Sequence, residues 1–443
     1  MIARTELAPR APSTGVLGTI VHLTDAHVLD AESPARVTFL DRLGPPFTST
    51  FRPQEALTAQ VLDGAVRAID ALEPDVVIQG GDLIDNAQAN ELERALAVLR
   101  GGEVDPDSGA PGYFGVQWAG NADTSYYRPD IDTPRHPGAL TAATRSFHAQ
   151  GLRAPCYPVL GDHDLLLQGV LAPNALSGAI ALGERAVWEL PSGLDAPAAA
   201  MRLQGTAPDG LAGPGLIEPL IEQELLSAPS VRVPADPRRR QLQSAEVLER
   251  LRAAARLADD GPLLDYTFDV GERLRVIVLD LVRREGGSGG VIHSGQPAWL
   301  CEQLAAAGPR WVLVVSHHPL NSTAGADELL AQLDRHPRVL AVISGHTHRN
   351  RILPRPGGGG GYWLISTASL IDHPQQARAL RVLETAGGGA ALQTWMIDHV
   401  PGGVRGLGDI SRELSYRDAQ GGRSQEFTGG PLDRNVTLYW RAA

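Results

Sequence analysis

Residues 75–86, with the sequence DVVIQGGDLIDN, determine the fold class of this chain of 443 residues. The run from Asp75 to Gln79 is apolar at its centre and rich in β-branched residues, which predicts a short buried strand. Two glycines and then a polar cluster with Asp82 and Asp85 follow it. Because ligands of α/β folds bind at the carboxyl ends of strands, this stretch predicts both a strand and a site at its end.

The same arrangement recurs before and after this stretch. Apolar runs at residues 16–23, 156–160, 311–315 and 339–343 predict four more buried strands, each followed by Asp or His. The polar residues that follow the five strands are Asp25 and His27; Asp82, Asp85 and Asn86; Asp162 and His163; Ser316 and His317; and His346 and His348. These clusters can all converge at one edge of a sheet.

Helix patterns lie between several of the predicted strands. Apolar residues recur at helical spacing over residues 54–72, 88–100, 244–255 and 296–307, and we also expect a helix at 140–150. The alternation of strands and helices predicts an α/β fold. The pentaglycine at 357–361 predicts a flexible hairpin loop.

Two long stretches interrupt this alternation. Residues 103–138 are rich in Pro, Gly, Asp and Tyr without a sustained period, which predicts an ordered loop. Residues 165–262 are rich in Ala, Leu and Pro and predict a lid or a small subdomain. We therefore expect one catalytic domain over residues 1–400 with these two insertions, and a C-terminal extension over 401–443 that packs on the same domain.

The charge composition excludes several mechanisms. The chain has 39 basic residues, all of them arginine, against 51 acidic residues, for a net charge of −12. Without lysine there is no Walker A phosphate loop, no Schiff-base chemistry and no kinase-type active site. The acidic balance also argues against a nucleic-acid polymer as a partner.

The two cysteines, Cys156 and Cys301, cannot build a disulfide framework, and their apolar neighbours predict two buried free thiols. No apolar run approaches the ~18 residues of a membrane span. Residues 1–13 lack the apolar stretch of a signal peptide. We therefore expect a cytoplasmic protein without a membrane span.

The combination of imidazole and carboxylate groups points to transition-metal chemistry. It suits Zn, Mn, Fe, Co or Ni better than Ca or Mg, which prefer oxygen ligands. The Asp and His side chains are too many for one ion and sufficient for two that share a carboxylate. Two metal ions about 3.5–4 Å apart are a known arrangement for displacement at phosphorus. The sequence therefore predicts a dinuclear metal centre.

The series D-x-H, G-D-x-x-D, G-D-H-D, H and G-H-x-H resembles the calcineurin-like metallophosphoesterase superfamily. The resemblance covers roughly residues 16–400. It implies a two-sheet αββα sandwich flanked by helices, and hydrolysis of a phosphate ester by a hydroxide that bridges two metal ions, with Mn, Fe or Zn as candidates. Residues 30–36, 86–91 and 126–130 resemble a little-characterised actinobacterial branch of the superfamily, which does not name a substrate.

The resemblance also implies a role for each motif residue. The first ion would be held by Asp25, His27 and His348, the second by Asp162, His317 and His346, and both by Asp82. His163 would protonate the leaving oxygen or stabilise the transition state. Asp85 would orient His163 as a hydrogen-bond partner.

Asp162 departs from the superfamily pattern, which has Asn at this position. With two divalent ions, one hydroxide and two ionised aspartates the usual core sums to +1, whereas an ionised Asp162 makes it 0. We expect a weaker attraction for an anionic phosphate and a less acidic bridging water. The alternative is that Asp162 replaces Asn isosterically, with no functional effect.

Four further residues are candidate substrate contacts. Arg36, Arg128 and Arg349 could give bidentate contacts to phosphate. Asn86 could contact substrate or cap the helix at residues 88–100. His318 is expected to pack beside His317 rather than to bind metal.

The predicted substrate is a small-molecule phosphate ester. A phosphodiesterase is slightly favoured, because relatives with similarly compact motif spacing include cyclic-nucleotide and phospholipid diesterases. A phosphomonoesterase or a nucleotide pyrophosphatase on the same core is an alternative, and a non-catalytic metal-binding scaffold is another. The oligomeric state is left open.

Overall fold

The computed structural model describes residues 1–44, 47–191, 193–203, 214–258, 261–400 and 404–440. The strands are β1 (Ile2–Arg4), β2 (Ser13–Leu23), β3 (Val76–Gln79), β4 (Gly102–Val104), β5 (Phe147–Ala149), β6 (Cys156–Pro158), β7 (Arg185–Val187), β8 (Ser230–Arg232), β9 (Tyr266–Val270), β10 (Leu274–Leu279), β11 (Trp311–Ser316), β12 (Val339–Ser344), β13 (Arg351–Arg355), β14 (Tyr362–Ser366), β15 (Gln376–Thr385), β16 (Gly389–Asp398) and β17 (Val436–Trp440). The α-helices are α1 (Thr58–Asp70), α2 (Ala89–Arg100), α3 (Ala139–Ala143), α4 (Asp162–Leu165), α5 (Ala175–Leu182), α6 (Ala196–Leu203), α7 (Pro214–Ser227), α8 (Ser244–Ala255), α9 (Gln296–Ala307), α10 (Asp327–Arg335) and α11 (Leu407–Gly421).

Two large mixed sheets organise these elements. The first has the strand order β1-β17-β16-β15-β2-β3-β6, and the second has the order β13-β14-β12-β11-β10-β9. In the first sheet β2, β3 and β6 run parallel. In the second sheet β10, β11, β12 and β14 run parallel. The carboxyl ends of these parallel strands are where the polar clusters of the sequence lie.

Strand β11 shows how the layers are arranged. Trp311, Leu313 and Val315 belong to a core that also contains side chains of the first sheet. Val312 and Val314 alternate with them and pack instead with apolar side chains of α9 and α10. Because successive side chains of a strand point to opposite faces, the second sheet lies between the first sheet and a helical layer. The predicted two-sheet α/β sandwich is confirmed.

The predicted helix at residues 140–150 is wrong in its second half. Helix α3 ends at Ala143, and β5 pairs antiparallel with β4. Phe147 and Ala149 are buried while His148 between them is exposed. This is the period of a strand, and pairing with β4 determines the structure where the local pattern favoured a helix.

The stretch at 165–262 contains α5 to α8 and the β7–β8 hairpin. Its apolar side chains, among them Val170, Ala181 and Val187, form a cluster with Val37 and Phe39 from the N-terminal region. Residues 192, 204–213 and 259–260 of this stretch lie outside the described residues. The division into one catalytic domain with two insertions stays a prediction.

The C-terminal extension contributes a helix and a strand. Helix α11 was not predicted from the sequence. Strand β17 pairs with β16 and β1 in the first sheet. Residues 401–403 and 441–443 of the predicted extension lie outside the described residues. In the described part, the extension is built into the sandwich.

Both cysteines are free thiols, but the expected burial is wrong for Cys301, which is exposed, and Cys156 is half-buried. Leu300 and Leu304 turn towards the sheet, so the neighbouring position 301 faces solvent. Within the described residues, no helix has the length and apolar character needed to cross a membrane.

Candidate metal centre

The strand exits are joined by backbone hydrogen bonds. The amide of Asp25, after β2, donates to the carbonyl of Gly81 at 3.0 Å, and the amide of His27 donates to the carbonyl of Asp82 at 3.0 Å. The amide of Leu370, after β14 of the second sheet, donates to the carbonyl of Asp25 at 3.1 Å. The exits of both sheets therefore meet at one edge of the sandwich, as the sequence predicted.

Five of the predicted ligands have left-handed backbone conformations. Their φ angles are +53° at Asp25, +44° at His27, +49° at Asp82, +64° at His346 and +54° at His348. Residues with a Cβ adopt this region at a cost, and such conformations concentrate at functional sites. The backbone is bent so that each side chain turns from the strand end towards the same point.

The motif glycines permit the close approach of these exits. A Cβ on Gly161 would lie 2.1 Å from Oδ1 of Asp82. A Cβ on Gly345 would lie 2.2 Å from Oγ1 of Thr24 and 2.6 Å from Oδ2 of Asp25. Glycine is required at both positions because no side-chain atom fits there.

The first group of clustered donors is Asp25, His27 and His348. Their donor atoms lie within 4.8 Å of one another, and all three residues are buried. His348 Nε2 lies 3.2 Å from Asp25 Oδ1 and 3.3 Å from His27 Nε2. Although burial works in the opposite direction, the imidazoles of His348 and His317 lower the pKa of Asp25. These are the three residues that the resemblance assigned to one ion.

The second group is Asp82, Asp162, His317 and His346. His317 Nε2 lies 3.1 Å from Asp82 Oδ2 and 3.3 Å from Asp162 Oδ1, and His346 Nδ1 lies 3.3 Å from the same Asp162 oxygen. Asp82 Oδ2 also lies 3.7 Å from His27 Nε2 of the first group. The Asp82 carboxylate is thus placed between the two groups.

Unpartnered buried atoms test whether this group fits a cation. Both carboxylate oxygens of Asp162 and Nε2 of His317 are buried and, among the described residues, make no hydrogen bond. Buried polar atoms are normally paired, and an unpaired buried carboxylate is costly. A bound cation would satisfy all three atoms at once. The donor set therefore fits two divalent metal ions, one for each group.

Hydrogen bonds select the imidazole nitrogen that faces each group. Nδ1 of His27 contacts Asp85 at 2.9 Å, Nδ1 of His317 contacts the carbonyl of Gly80 at 2.8 Å, and Nδ1 of His348 contacts Asp372 at 2.6 Å. Because a carboxylate or carbonyl oxygen can only accept a hydrogen bond, Nδ1 of each of these rings carries a hydrogen and donates it to the oxygen. The Nε2 lone pair is left for a cation, as in most histidine metal ligands.

His163 lies beside both groups. Its Nδ1 is 2.9 Å from Asp85 Oδ1, and its amide donates to Asp82 Oδ1 at 2.9 Å. Burial lowers the pKa of His163, but the carboxylates of Asp82, Asp85 and Asp162 outweigh this effect and raise it to about 10. The surrounding carboxylates thus favour the protonated imidazole, and the contact of Nδ1 with Asp85 leaves Nε2 as the nitrogen that faces away from Asp85.

Asp85 has two partners through one oxygen. Oδ1 accepts from His163 and from His27, each at 2.9 Å. Glu91 fixes this segment by accepting from the amide of Asn86 at 2.8 Å and from its side-chain nitrogen at 2.8 Å. Asn86 does not cap α2, which begins at Ala89 after the N-cap residue Gln88. A substrate contact by Asn86 remains a prediction.

The three arginines predicted to contact phosphate are already paired. Arg36 makes a bidentate pair with Glu55 at 2.7 Å and 2.7 Å in a buried position. Arg128 pairs with Asp132 at 2.9 Å, and Arg349 with Glu426 at 2.9 Å. Their guanidinium groups are engaged elsewhere in the fold, and substrate contact by them stays a prediction.

His318 packs beside the second group, with Nε2 3.0 Å from the carbonyl of Ser288 and 3.4 Å from Asp162 Oδ1. Two supporting residues were missed by sequence reasoning. Asp164 accepts from the amides of Leu83 at 2.9 Å and Ile84 at 3.1 Å, and its position directly after His163 was an available signal. Asp372 had no signal, since it lies outside every motif.

Comparison with known proteins supports the resemblance. A family model described as calcineurin-like phosphoesterase matches residues 239–350, about a quarter of the chain. This segment contains His317, His346 and His348. No curated protein matches the chain significantly.

Solved structures give more distant similarities. A dimetal phosphatase from Danio rerio has 13% identity and a TM-score of 0.43, covering 87% of this chain and 100% of its own. A sulfate thiohydrolase, SoxB, from Thermus thermophilus has 13% identity and a TM-score of 0.31, covering 93% and 62%. PhoD has 11% identity and a TM-score of 0.32, covering 93% and 79%.

The sequence identities and TM-scores of these solved structures carry no inference about activity. The family model, in contrast, falls on the segment that supplies three of the seven clustered donors. Over this segment the chain is similar to the calcineurin-like phosphoesterase family.

Proposed function

We propose that this chain hydrolyses a small-molecule phosphate diester at the centre formed by the two donor groups. Asp25, His27 and His348 hold one ion in this proposal, and Asp82 is shared by both ions. The second ion is held by Asp162, His317 and His346. When bound, the two cations supply a nucleophile at neutral pH and neutralise charge on the phosphate.

The observation that carries the diester preference is the number of carboxylates in the donor set. Asp25, Asp82 and Asp162 together contribute three negative charges next to two divalent ions, one more than the usual core of the superfamily. A diester carries one negative charge, whereas a monoester carries up to two near neutral pH. The less positive core is better matched to the singly charged ester.

The pairing of the arginines supports the same preference. The second charge of a monoester would have to be met by cationic side chains, and this chain has no lysine. The three arginines next to or between the motifs are each engaged by a carboxylate. Within the part of the chain that the structure describes, none of these three arginines is free to meet that second charge.

His163 is the proposed proton donor to the leaving oxygen. Its Nδ1 is held by Asp85, so Nε2 is the nitrogen that can transfer a proton. The wall beside Nε2 is formed by Gly169, whose Cβ would lie 2.5 Å from that atom. A Cβ at 169 would also lie 2.6 Å from Asp162 Oδ2, so glycine is required for this backbone to pack against both side chains.

Hydrolysis of bis-p-nitrophenyl phosphate and p-nitrophenyl phosphate by the Mn-loaded protein tests the proposal. We expect the diester to have the higher kcat/KM. Faster turnover of the monoester, or of a nucleotide diphosphate in a nucleotide panel, would overturn the diester assignment. No turnover of any ester, together with metal analysis that finds no bound ions, would support a different role for the fold.

A further inference from the structure

The metal ligand His348 depends on a carboxylate that no motif contains. Asp372 Oδ2 lies 2.6 Å from His348 Nδ1, and Asp372 is 1% exposed. Because Asp372 accepts a hydrogen bond from Nδ1 of His348, Nε2 of the same ring points at Asp25 Oδ1, 3.2 Å away. The orientation of His348 towards the first donor group is thus set by Asp372.

Asp372 is itself held rigidly. Arg52 Nε donates to Asp372 Oδ1 at 2.8 Å, and Arg52 Nη2 lies 3.3 Å from Oδ2. The amide of Asp372 donates to Oγ of Ser369 at 2.9 Å. A buried carboxylate that is paired in this way is fixed in direction and keeps its charge. The Asp372 carboxylate can therefore hold the His348 ring, which donates a hydrogen bond to it, in one orientation.

The loop that carries Asp372 is fastened from several parts of the chain. Gln54 donates to the carbonyl of Ile371 at 3.0 Å, and the amide of Leu370 donates to the carbonyl of Asp25 at 3.1 Å. Gln375 donates to Oγ of Ser411 in α11 at 2.9 Å. The last of these bonds connects the loop to the C-terminal extension.

Arg423 provides a second connection from the extension. Its Nε lies 3.6 Å from Asp372 Oδ1, and its Nη2 donates to the carbonyl of Phe51 at 2.9 Å. Phe51 directly precedes Arg52, the principal partner of Asp372. The guanidinium of Arg423 therefore supports both the carboxylate and the segment that pairs with it.

We propose that Asp372 is a positioning residue for the metal ligand His348, and that the C-terminal extension completes this support through Arg423. The inference rests on the proposed ligand role of His348. It assigns the extension a part in metal binding that none of the motifs reveals. His27 and His317 are supported by Asp85 and by the carbonyl of Gly80 in the same way, and Asp372 gives a third histidine ligand, His348, its Nδ1 partner.

Manganese binding to the full-length chain tests the proposal without relying on turnover. In Asp372→Asn the side chain keeps its size but loses its charge. We expect the affinity for one of the two ions to fall by about 10- to 100-fold, with the other ion retained. The readout is the Mn content per chain after desalting and a competitive titration against a chelator.

Asp280→Asn is the matched control. Asp280 is also a fully buried aspartate paired with an arginine, Arg284, but it contacts none of the clustered donors. Both ions should stay bound in this variant. An Asp372→Asn protein that retains both ions with unchanged affinity would overturn the proposal.

Arg423→Gln provides a second, milder test if Asp372→Asn does not fold by circular dichroism. We expect a smaller loss of affinity, about threefold to tenfold, for the same ion. Unchanged Mn affinity in this folded variant would refute the part assigned to the extension, and would refute the whole proposal if the first variant gives no protein. If the wild type binds two ions but cleaves no ester, the proposed function fails while the role of Asp372 stands.

Discussion

Replacing Asp162 by Asn tests whether the additional carboxylate of this centre weakens phosphate binding. Asp162 Oδ1 lies 3.3 Å from His317, 3.4 Å from His318 and 3.3 Å from His346, and neither of its oxygens has a hydrogen-bond partner among the described residues. An amide has the same shape and offers one oxygen to a cation. The substitution therefore removes one negative charge from the core and leaves the packing nearly unchanged.

The magnitude follows from Coulomb's law. For this estimate we take a separation of about 5 Å between a phosphate at the centre and the carboxylate at position 162. At that distance, effective dielectric constants between about 20 and 40 give a repulsion of about 1.5 to 3 kcal/mol for one pair of unit charges. Removal of the repulsion corresponds to roughly 10- to 150-fold tighter binding of phosphate. We expect the Asp162→Asn variant to show a gain in this range and to react faster below neutral pH.

Calorimetric titration of inorganic phosphate into Mn-loaded wild type and variant measures this change directly. The metal content of both samples is determined in parallel, because the comparison requires two ions in each. Competitive inhibition of diester hydrolysis by phosphate supplies an independent inhibition constant. The ratio of the inhibition constants should agree with the ratio of the calorimetric dissociation constants.

Three outcomes would refute this reasoning. If the variant keeps both ions but binds phosphate no more tightly, Asp162 merely replaces Asn isosterically. If the variant loses an ion, the charge of Asp162 is needed to hold that ion, and its cost to phosphate binding is secondary. A simultaneous decrease in phosphate affinity and kcat would also contradict the charge argument.

Three further predictions concern the surroundings of His163. His163→Ala should keep both ions by metal analysis and lose about 10²- to 10⁴-fold in kcat, whereas loss of metal would make the residue a ligand instead. Asp85→Asn should shift the alkaline limb of the kcat profile to lower pH. Burial lowers the pKa of His163, but neighbouring carboxylates, Asp85 among them, raise it, and a proton donor with a lower pKa loses its proton sooner as pH rises; an unmoved limb would exclude His163 as the acid. Gly169→Ala would place a Cβ 2.5 Å from His163 Nε2 and should reduce kcat at least about tenfold. Gly138→Ala, at a similar φ of +77° with no atom within 4 Å of its Cβ, should not do so.

The parts of the fold that sequence predicted are those where local pattern and burial agree. Strand β11 is apolar throughout because one face meets the other sheet and the other face meets helices, so its composition alone identifies it. The donor residues follow such strands directly. Their convergence required only the rule that parallel strands present their carboxyl ends at one edge of a sheet.

The parts that could not be predicted depend on distant contacts. Phe147 lies in a strand because it pairs with Val104, which is more than forty residues away. Asp372 contacts Arg52 across 320 residues and His348 across 24, and no local pattern indicates either contact. The same reasoning applies to Arg36, whose buried partner Glu55 could not be recognised from composition.

Each donor group combines residues from the two sheets. Asp25 and His27 follow a strand of the first sheet while His348 follows a strand of the second, and the other group is likewise mixed. Each ion would therefore bind side chains from both sheets and link them. Neither sheet alone supplies the full set of donors for an ion. Metal supply then contributes to the folding equilibrium as well as to catalysis, because ions that bind only the assembled sheets stabilise the assembly. Metal-starved cells would be expected to lose the protein itself, through unfolding and turnover, and not merely its activity.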